Sequence, residues 1–221
     1  MPASTARERY AFTTIFVVSV LLAFGIFLSI YGSAYAAYWD YKPREGDILF
    51  QSLPRSPLVN AIEGASQSPY SHCGIVAKKD GQWMVYEAYR KVEATPLKEF
   101  IFRGRGQGFA VYRFKTDSQK HIPETIRQVK TYLGRPYDVR YRMDDEKIYC
   151  SELIYKAYRQ AAGKKLGELK RLGELKWRPY QKTIEHFEQG PTPLDREMIT
   201  PKHLALAEEL ELVFLHKIAA K

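Results

Sequence analysis

The sequence predicts an α+β domain behind an N-terminal apolar helix. Three observations carry this. Strand-like segments fill the first part of the chain after residue 45 and the longer amphipathic helices come later, an order that belongs to α+β folds and not to a doubly wound sheet. An uncharged, almost entirely apolar run covers residues 11–31. The remaining composition, with 45% apolar and 27% charged residues overall, is that of a packed globular chain and excludes a disordered or low-complexity one.

The N-terminal run comes first. No charged residue lies between Arg9 and Asp40, and the 21 residues 11–31 span roughly 30 Å as a helix, the thickness of a bilayer core. Arg7 and Arg9 precede it, so the positive-inside rule keeps the N-terminus in the cytoplasm and sends the rest across. Two readings stand. The length favours an uncleaved membrane anchor, whereas Ala34-Tyr35-Ala36 is a small-x-small site at which a signal peptidase could cut before Ala37. Residues 1–39 are therefore an anchor or signal segment and 40–221 the exported domain.

Within that domain, Gly46-Asp47-Ile48-Leu49-Phe50-Gln51 reads as a short buried strand. Ser56-Pro57 opens a short helix with Leu58, Ile62 and Ala65 on one face. Ser71 to Ala77 and Gln82 to Tyr89 read as two strands joined by the Asp80-Gly81 turn. Thr95-Pro96 marks a helical turn through Phe100, and Phe109 to Phe114 is a further strand. Pro123 starts a helix with Ile126, Val129 and Leu133 inward and Gly134 as its end. Cys150 to Ala162 is a second helix, with Leu153, Ile154, Ala157 and Ala161 inward and Gly163 as its stop. Residues 164–221 read as a basic surface segment in which Leu-Gly-Glu-Leu-Lys occurs twice, at 166–170 and 172–176. Thr200-Pro201 starts another helix, and Glu208, Glu209 and Glu211 form a solvated face.

Three segments can carry chemistry. Cys150 opens an amphipathic helix, where unpaired N–H groups and the helix dipole favour a thiolate, the nucleophilic form. A lone Cys in such a helix is otherwise small core filler. In Tyr70-Ser71-His72-Cys73-Gly74, strand alternation sets His72 and Gly74 on one face and Cys73 on the other, so Gly74 leaves room for a group to approach the imidazole. Glu87, between apolar neighbours on the return strand, can hold the imidazole tautomer if it lies near His72; otherwise it is an outward, solvated residue. Together His72, Glu87 and Cys150 supply base, orienter and nucleophile. The Cys150 N–H is a candidate oxyanion donor, and Gln51 is the candidate for a second.

These motifs, with Leu133-Gly134-Arg135-Pro136-Tyr137-Asp138 and Tyr149-Cys150-Ser151-Glu152, resemble the YiiX-like permuted papain-fold hydrolases, relatives of the NlpC-type cell-wall peptidases. The likeness runs from about residue 41 to about 215 and includes Pro193-Leu194-Asp195 and Ile199-Thr200-Pro201. It implies a circularly permuted papain-like fold, a small antiparallel β-barrel packed against helices. It also implies Cys150 as nucleophile, His72 as base, Glu87 as orienter and Tyr137 beside the pocket as a substrate-binding residue. The function so implied is cleavage of an amide in a cell-wall peptide or a lipid-derived N-acyl compound. Acyl transfer from the same thioester, and a non-catalytic tethered binding module, are the alternatives.

Cys73 faces away from His72 by alternation and is expected to be a buried small residue, not the partner of a bridge to Cys150. No cofactor is implied. His72, His121, His186, His203 and His216 show no metal spacing, and Gly104-Arg105-Gly106-Gln107-Gly108 precedes a strand and not a helix, so it reads as a turn and not a phosphate loop. The net charge of +9 favours anionic surroundings, but the basic and aromatic residues form no nucleic-acid module. The sequence assigns no oligomeric state.

Overall fold

In the computed structural model, residues 6–218 are described, and the chain divides into two compact units between Tyr41 and Lys42. The first unit contains α1 (Ala6–Asp40). Its stretch Thr13–Asp40 is long and apolar enough to cross a membrane, and it is equally compatible with a signal sequence. The side chains of Arg7 and Arg9 lie outside the described residues.

The second unit runs β1 (Ile48–Gln51), α2 (Pro57–Ser66), β2 (His72–Lys79), β3 (Gln82–Ala88), β4 (Val92–Pro96), α3 (Leu97–Arg103), β5 (Phe109–Phe114), α4 (Thr116–Gln119), α5 (Ile122–Thr131), α6 (Cys150–Ala162), β6 (Lys170–Arg171), α7 (Gln181–Glu188), β7 (Glu197–Met198), α8 (Pro201–Ala205) and β8 (Leu210–His216). Six strands form one antiparallel sheet in the order β4-β3-β2-β1-β5-β8. The sheet is open, which corrects the expected barrel. Closure requires the outermost strands to pair, and among the described residues β4 and β8 do not: β4 runs directly into α3, and β8 pairs only with β5.

Opposed residues in an antiparallel ladder share a face. Ile48, Phe50, Cys73, Ile75, Tyr86, Ala110 and Tyr112 lie on one face and pack with Leu153, Ile154 and Ala157 of α6 and Val129 of α5 in the main core. Leu49, Gln51, His72, Gly74, Glu87 and Phe109 lie on the other, where α3 packs on β3 and β4. Asp47 fastens β1 to β5: its buried carboxylate accepts two hydrogen bonds from Arg113, at 2.7 and 2.8 Å, and one from the Arg44 N–H at 2.9 Å.

Local signals set most element ends. The Ser56 hydroxyl accepts from the Val59 N–H at 3.2 Å and Pro57 occupies the first turn of α2. Gly163, at φ 67°, stops α6 in the left-handed conformation. Four expectations fail for identifiable reasons. Thr95 lies at the end of strand β4, paired with Val85, and does not cap the expected helical turn, which is present but starts at Leu97 with Pro96 at its N-cap and no side-chain cap. Leu133 lies beyond α5 and is 48% exposed; Tyr132 fills the inward position. Ala161 is half-buried, and Tyr155 and Tyr158 share the inward face of α6 instead. Residues 164–218 are not a surface strap: Leu166 and Leu172, the first residues of the two repeats, are buried in the main core, and β8 extends the sheet. Glu208 and Glu211 are exposed, whereas Glu209 is half-buried and its carbonyl accepts from the Lys115 N–H.

Candidate active site

The site forms where the start of β2 meets the start of α6. Cys150 is the first residue of α6, whose first turn is steadied by the Glu152 carboxylate accepting the Tyr149 N–H at 3.1 Å. His72 is the first residue of β2. Its Nε2 is hydrogen-bonded to Glu87, which leaves Nδ1 for the thiol, and its ring stacks on Phe100 at 5.6 Å and meets Tyr89 edge-on at 5.8 Å. Glu87 stands opposite Gly74 on the neighbouring strand. A Cβ at Gly74 would come within 2.4 Å of Val85 Cγ1 and 3.2 Å of Glu87 Cβ, so the glycine is what lets β2 and β3 hold the imidazole and carboxylate together. All three side chains are buried: Cys150 and Glu87 are 0% exposed and His72 1%.

Glu87 has a second partner that the sequence did not disclose. Arg103, at the end of α3, hydrogen-bonds its other oxygen and lies over the Tyr89 ring, 4.1 Å from its centroid. Burial pushes the Glu87 carboxyl up, but the hydrogen bond and charge of His72 and the charge of Arg103 overcome this and hold it below its ordinary value. Burial likewise pushes His72 down, yet its hydrogen bonds to Cys150 and Glu87, with their charges, raise it to about 9. Cys150 is held well below an ordinary thiol. The first cause is a hydrogen bond from the Cys73 side chain; burial opposes it, and His72 and the Cys73 N–H add to it. Both shifts run in the direction that favours a thiolate beside an imidazolium.

Cys73 is buried on the face opposite His72 and unbridged, as alternation predicts, yet its side chain also hydrogen-bonds Cys150. α6 packs on the face of β2 that carries Cys73, while His72, at the end of the strand, reaches Cys150 from the margin. Both cysteines are unbridged, and burial, with the hydrogen bond and charge of Cys150, pushes the Cys73 thiol well above its ordinary value.

Gln51 opposes His72 across the β1–β2 ladder and shares its face. Both polar atoms of its amide are buried without a hydrogen-bond partner, and Oε1 lies where a Cβ on Gly104 would stand 2.6 Å away. Tyr137 sits in the connection from α5 to α6, which is pinned to β4 by the Gly134 N–H to Val92 and the Val92 N–H to Arg135, at 2.8 Å each. Its phenol bonds that of Tyr141 at 2.9 Å, and burial and the Cys150 charge keep both protonated. Tyr141 adopts φ 54°, a left-handed conformation that costs a bulky residue about 1–3 kcal/mol. The Asp138 carboxylate holds that turn by accepting the N–H groups of Arg140 at 2.9 Å and Arg142 at 2.6 Å.

A sequence profile described as "Permuted papain-like amidase enzyme, YaeF/YiiX, C92 family" matches residues 42–214. This chain belongs to that family. It is a cysteine hydrolase of the amidase and peptidase type. Among curated proteins it is 32% identical over 195 residues to the uncharacterized protein YiiX of Escherichia coli strain K12, covering 85% of this chain and 93% of that one. A crystal structure of YiiX from Escherichia coli O157:H7, described there as a metalloprotein, is 31% identical, with a TM-score of 0.72 over 80% of this chain and 99% of that one. The donor set here does not match a metal centre: among the described residues no group of three or more His, Cys, Asp or Glu side chains is arranged to hold an ion.

Proposed function

We propose that this member of the C92 family is a membrane-tethered, extracytoplasmic amidase that works through Cys150, His72 and Glu87. The observation that carries the reading is a buried cysteine hydrogen-bonded to an imidazole whose other nitrogen is hydrogen-bonded to a buried carboxylate. The thiolate attacks the amide carbonyl and a C–S bond forms. The C–N bond breaks as the His72 proton passes to the leaving nitrogen. Water then adds its oxygen to the thioester carbon and gives a proton to His72; the C–S bond breaks, releasing the carboxylic acid and restoring the thiolate. Glu87 steadies the imidazolium, and Arg103 keeps Glu87 ionised. The Cys150 N–H at the helix start and the unpartnered Gln51 amide are the donors for the carbonyl oxygen, and Tyr137 borders the bound substrate. The substrate class is an amide of a cell-wall peptide or of a lipid-derived N-acyl compound.

The test sets wild type beside Cys150→Ala on cell-wall peptides and N-acyl amides, with mass spectrometry for an acyl adduct on Cys150. Turnover by wild type alone, with the adduct, is expected; activity retained by Cys150→Ala overturns the reading. Product analysis separates hydrolysis from transfer to another acceptor.

A further inference from the structure

The Cys73 thiol is a buried sulfur nucleophile that the amidase reading leaves without a chemical step. It lies on the core face of β2, opposite Phe50 across the ladder to β1. Its side chain packs among the apolar groups of the main core and hydrogen-bonds Cys150, and its N–H reaches the same sulfur. A disulfide needs Cβ atoms about 3.5–4.5 Å apart and Cα atoms about 4.4–6.8 Å apart. The N–H of a residue is two bonds from its own Cβ, so a sulfur held by both the N–H and the thiol of Cys73 stands close to that Cβ. Joining the two sulfurs therefore asks for side-chain rotation more than for movement of β2 or α6. A small apolar residue would fill this part of the core as well. What a thiol adds is the ability to displace a group from an oxidised Cys150 sulfur, which Ala, Val and Ser lack.

We propose that Cys73 is the resolving thiol of a redox modification site: a hydroperoxide oxidises Cys150, and Cys73 converts the product into a Cys73–Cys150 disulfide that switches the enzyme off reversibly. The switch in activity rests on the amidase reading above, whereas the bridge itself does not.

In the first step the Cys150 thiolate attacks the distal oxygen of the hydroperoxide. An S–O bond forms, the O–O bond breaks, and the departing alkoxide or hydroxide takes the His72 proton. The sulfur loses two electrons to the peroxide and becomes a sulfenic acid. In the second step the Cys73 thiol passes its proton to neutral His72 and its sulfur attacks that of Cys150. An S–S bond forms, the S–O bond breaks, and the proton leaves with the hydroxide as water. A dithiol reverses the bridge by two exchanges. The order is built in. Burial and the hydrogen bond and charge of Cys150 hold Cys73 as a thiol, and oxidation of Cys150 to a neutral sulfenic acid removes that charge. The resolving sulfur is thus released once its partner has been oxidised. A sulfenic acid left alone goes on to the irreversible sulfinic acid, and the bridge intercepts it.

The test treats the full chain with hydrogen peroxide, wild type beside Cys73→Ser and Cys73→Ala. Cys73→Ser keeps a hydrogen-bond donor beside Cys150 and removes the second sulfur. After tryptic digestion without reductant, mass spectrometry of wild type should find residues 56–78 joined to 148–156, about 2 Da lighter than the separate peptides. Dithiothreitol should separate them and restore alkylation of Cys150. In both variants the peptide 148–156 should instead gain about 32 Da, as sulfinic acid, and dithiothreitol should not restore alkylation. Sulfinic acid on wild-type Cys150 without the joined peptide overturns the proposal, and so does Cys150 left unmodified or a bridge found only in covalent dimers. Amide turnover lost and regained in step with the bridge is expected; a bridged chain that keeps its turnover overturns the switch. Absence of amide turnover before any oxidation overturns the amidase reading instead, and the peptides still decide the bridge.

Discussion

Replacing Glu87 by Gln keeps the shape of the side chain and removes the charge that faces two cations. His72 is held at about 9 by Cys150 and Glu87 together, against a burial effect that pushes the other way. A neighbouring opposite charge moves a buried group by about 1–3 pH units, so Glu87→Gln should bring the loss of the His72 proton down to near neutrality. With a midpoint near 7, the imidazolium fraction at pH 8 falls from about nine-tenths to about one-tenth, an approximately tenfold rate loss from protonation alone. The ring itself stays in place between Phe100 and Tyr89, so misorientation adds little. The same change leaves Arg103 without its anion. Breaking one side of a buried pair costs roughly 3–5 kcal/mol; Arg103 is 17% exposed, which argues for the lower figure and a Tm lower by about 6–12 °C. The assay is the pH dependence of Cys150 alkylation and of kcat/KM, each followed from pH 5 to 10, with Glu87→Gln/Arg103→Met alongside. The double variant should recover much of the stability and none of the alkaline limb. An alkaline limb that stays near 9 in Glu87→Gln refutes the coupling of Glu87 to His72.

Cys73→Ala removes the first cause of the low Cys150 value, so the acid limb of Cys150 alkylation should rise by about one pH unit while the alkaline limb is kept; an unmoved acid limb means that the Cys73 thiol does not support the thiolate. In native wild type, iodoacetamide should modify Cys150 before Cys73, as peptide mapping at successive times will show, because Cys73 is held as a thiol by burial and by its charged neighbour. Gly74→Ala forces a methyl group against Val85 and should cost about 1–3 kcal/mol by urea unfolding, with activity falling as β2 and β3 separate. Fusing a reporter that is active only in the cytoplasm after Lys221 should give an inactive reporter. N-terminal sequencing of the mature chain then distinguishes an anchor, with its original start, from a cleaved signal beginning at Ala37.

The parts of the fold legible in the sequence are those written by local chemistry. Asp80-Gly81 announces the β2–β3 hairpin, Ser56-Pro57 announces α2, and Gly163 ends α6. β4 was hidden because Val92-Glu93-Ala94-Thr95-Pro96 is short and closes on a proline, which is tolerated there only because β4 is an edge strand. β8 was hidden for a related reason: one side of its ladder is unpaired, many of its apolar residues are exposed, and Glu208 and Glu209 immediately before it read as a solvated helix. At the site, His72, Glu87 and Cys150 could be named because each breaks a local expectation: a histidine two residues from a glycine, a carboxylate among apolar strand neighbours, a cysteine opening a helix. Arg103 breaks none, and its contact with Glu87 exists only because α3 lies across the sheet. Tyr141 gives no signal either, since its left-handed backbone is imposed by the Asp138 carboxylate and by packing distant in sequence. The face and burial of Cys73 were legible, but its contact with Cys150 was not, because alternation describes the faces of a strand and not what reaches around its first residue.

The low value of Cys150 belongs to the docked state alone. Its three supports, Cys73 Sγ, the Cys73 N–H and His72, all come from β2, and none exists for the helix before α6 settles on the sheet. Until that moment Cys150 is an ordinary thiol, mostly protonated at neutral pH. Because His72, Cys73 and Glu87 precede Cys150 along the chain, the scaffold can be synthesised first and the reactive sulfur is created by the last long helix to arrive. Cys150 in a chain that has not finished folding is therefore expected to alkylate at the rate of an ordinary thiol. Alkylation rate in a refolding experiment then becomes a clock for the docking of α6, one that runs separately from the appearance of secondary structure.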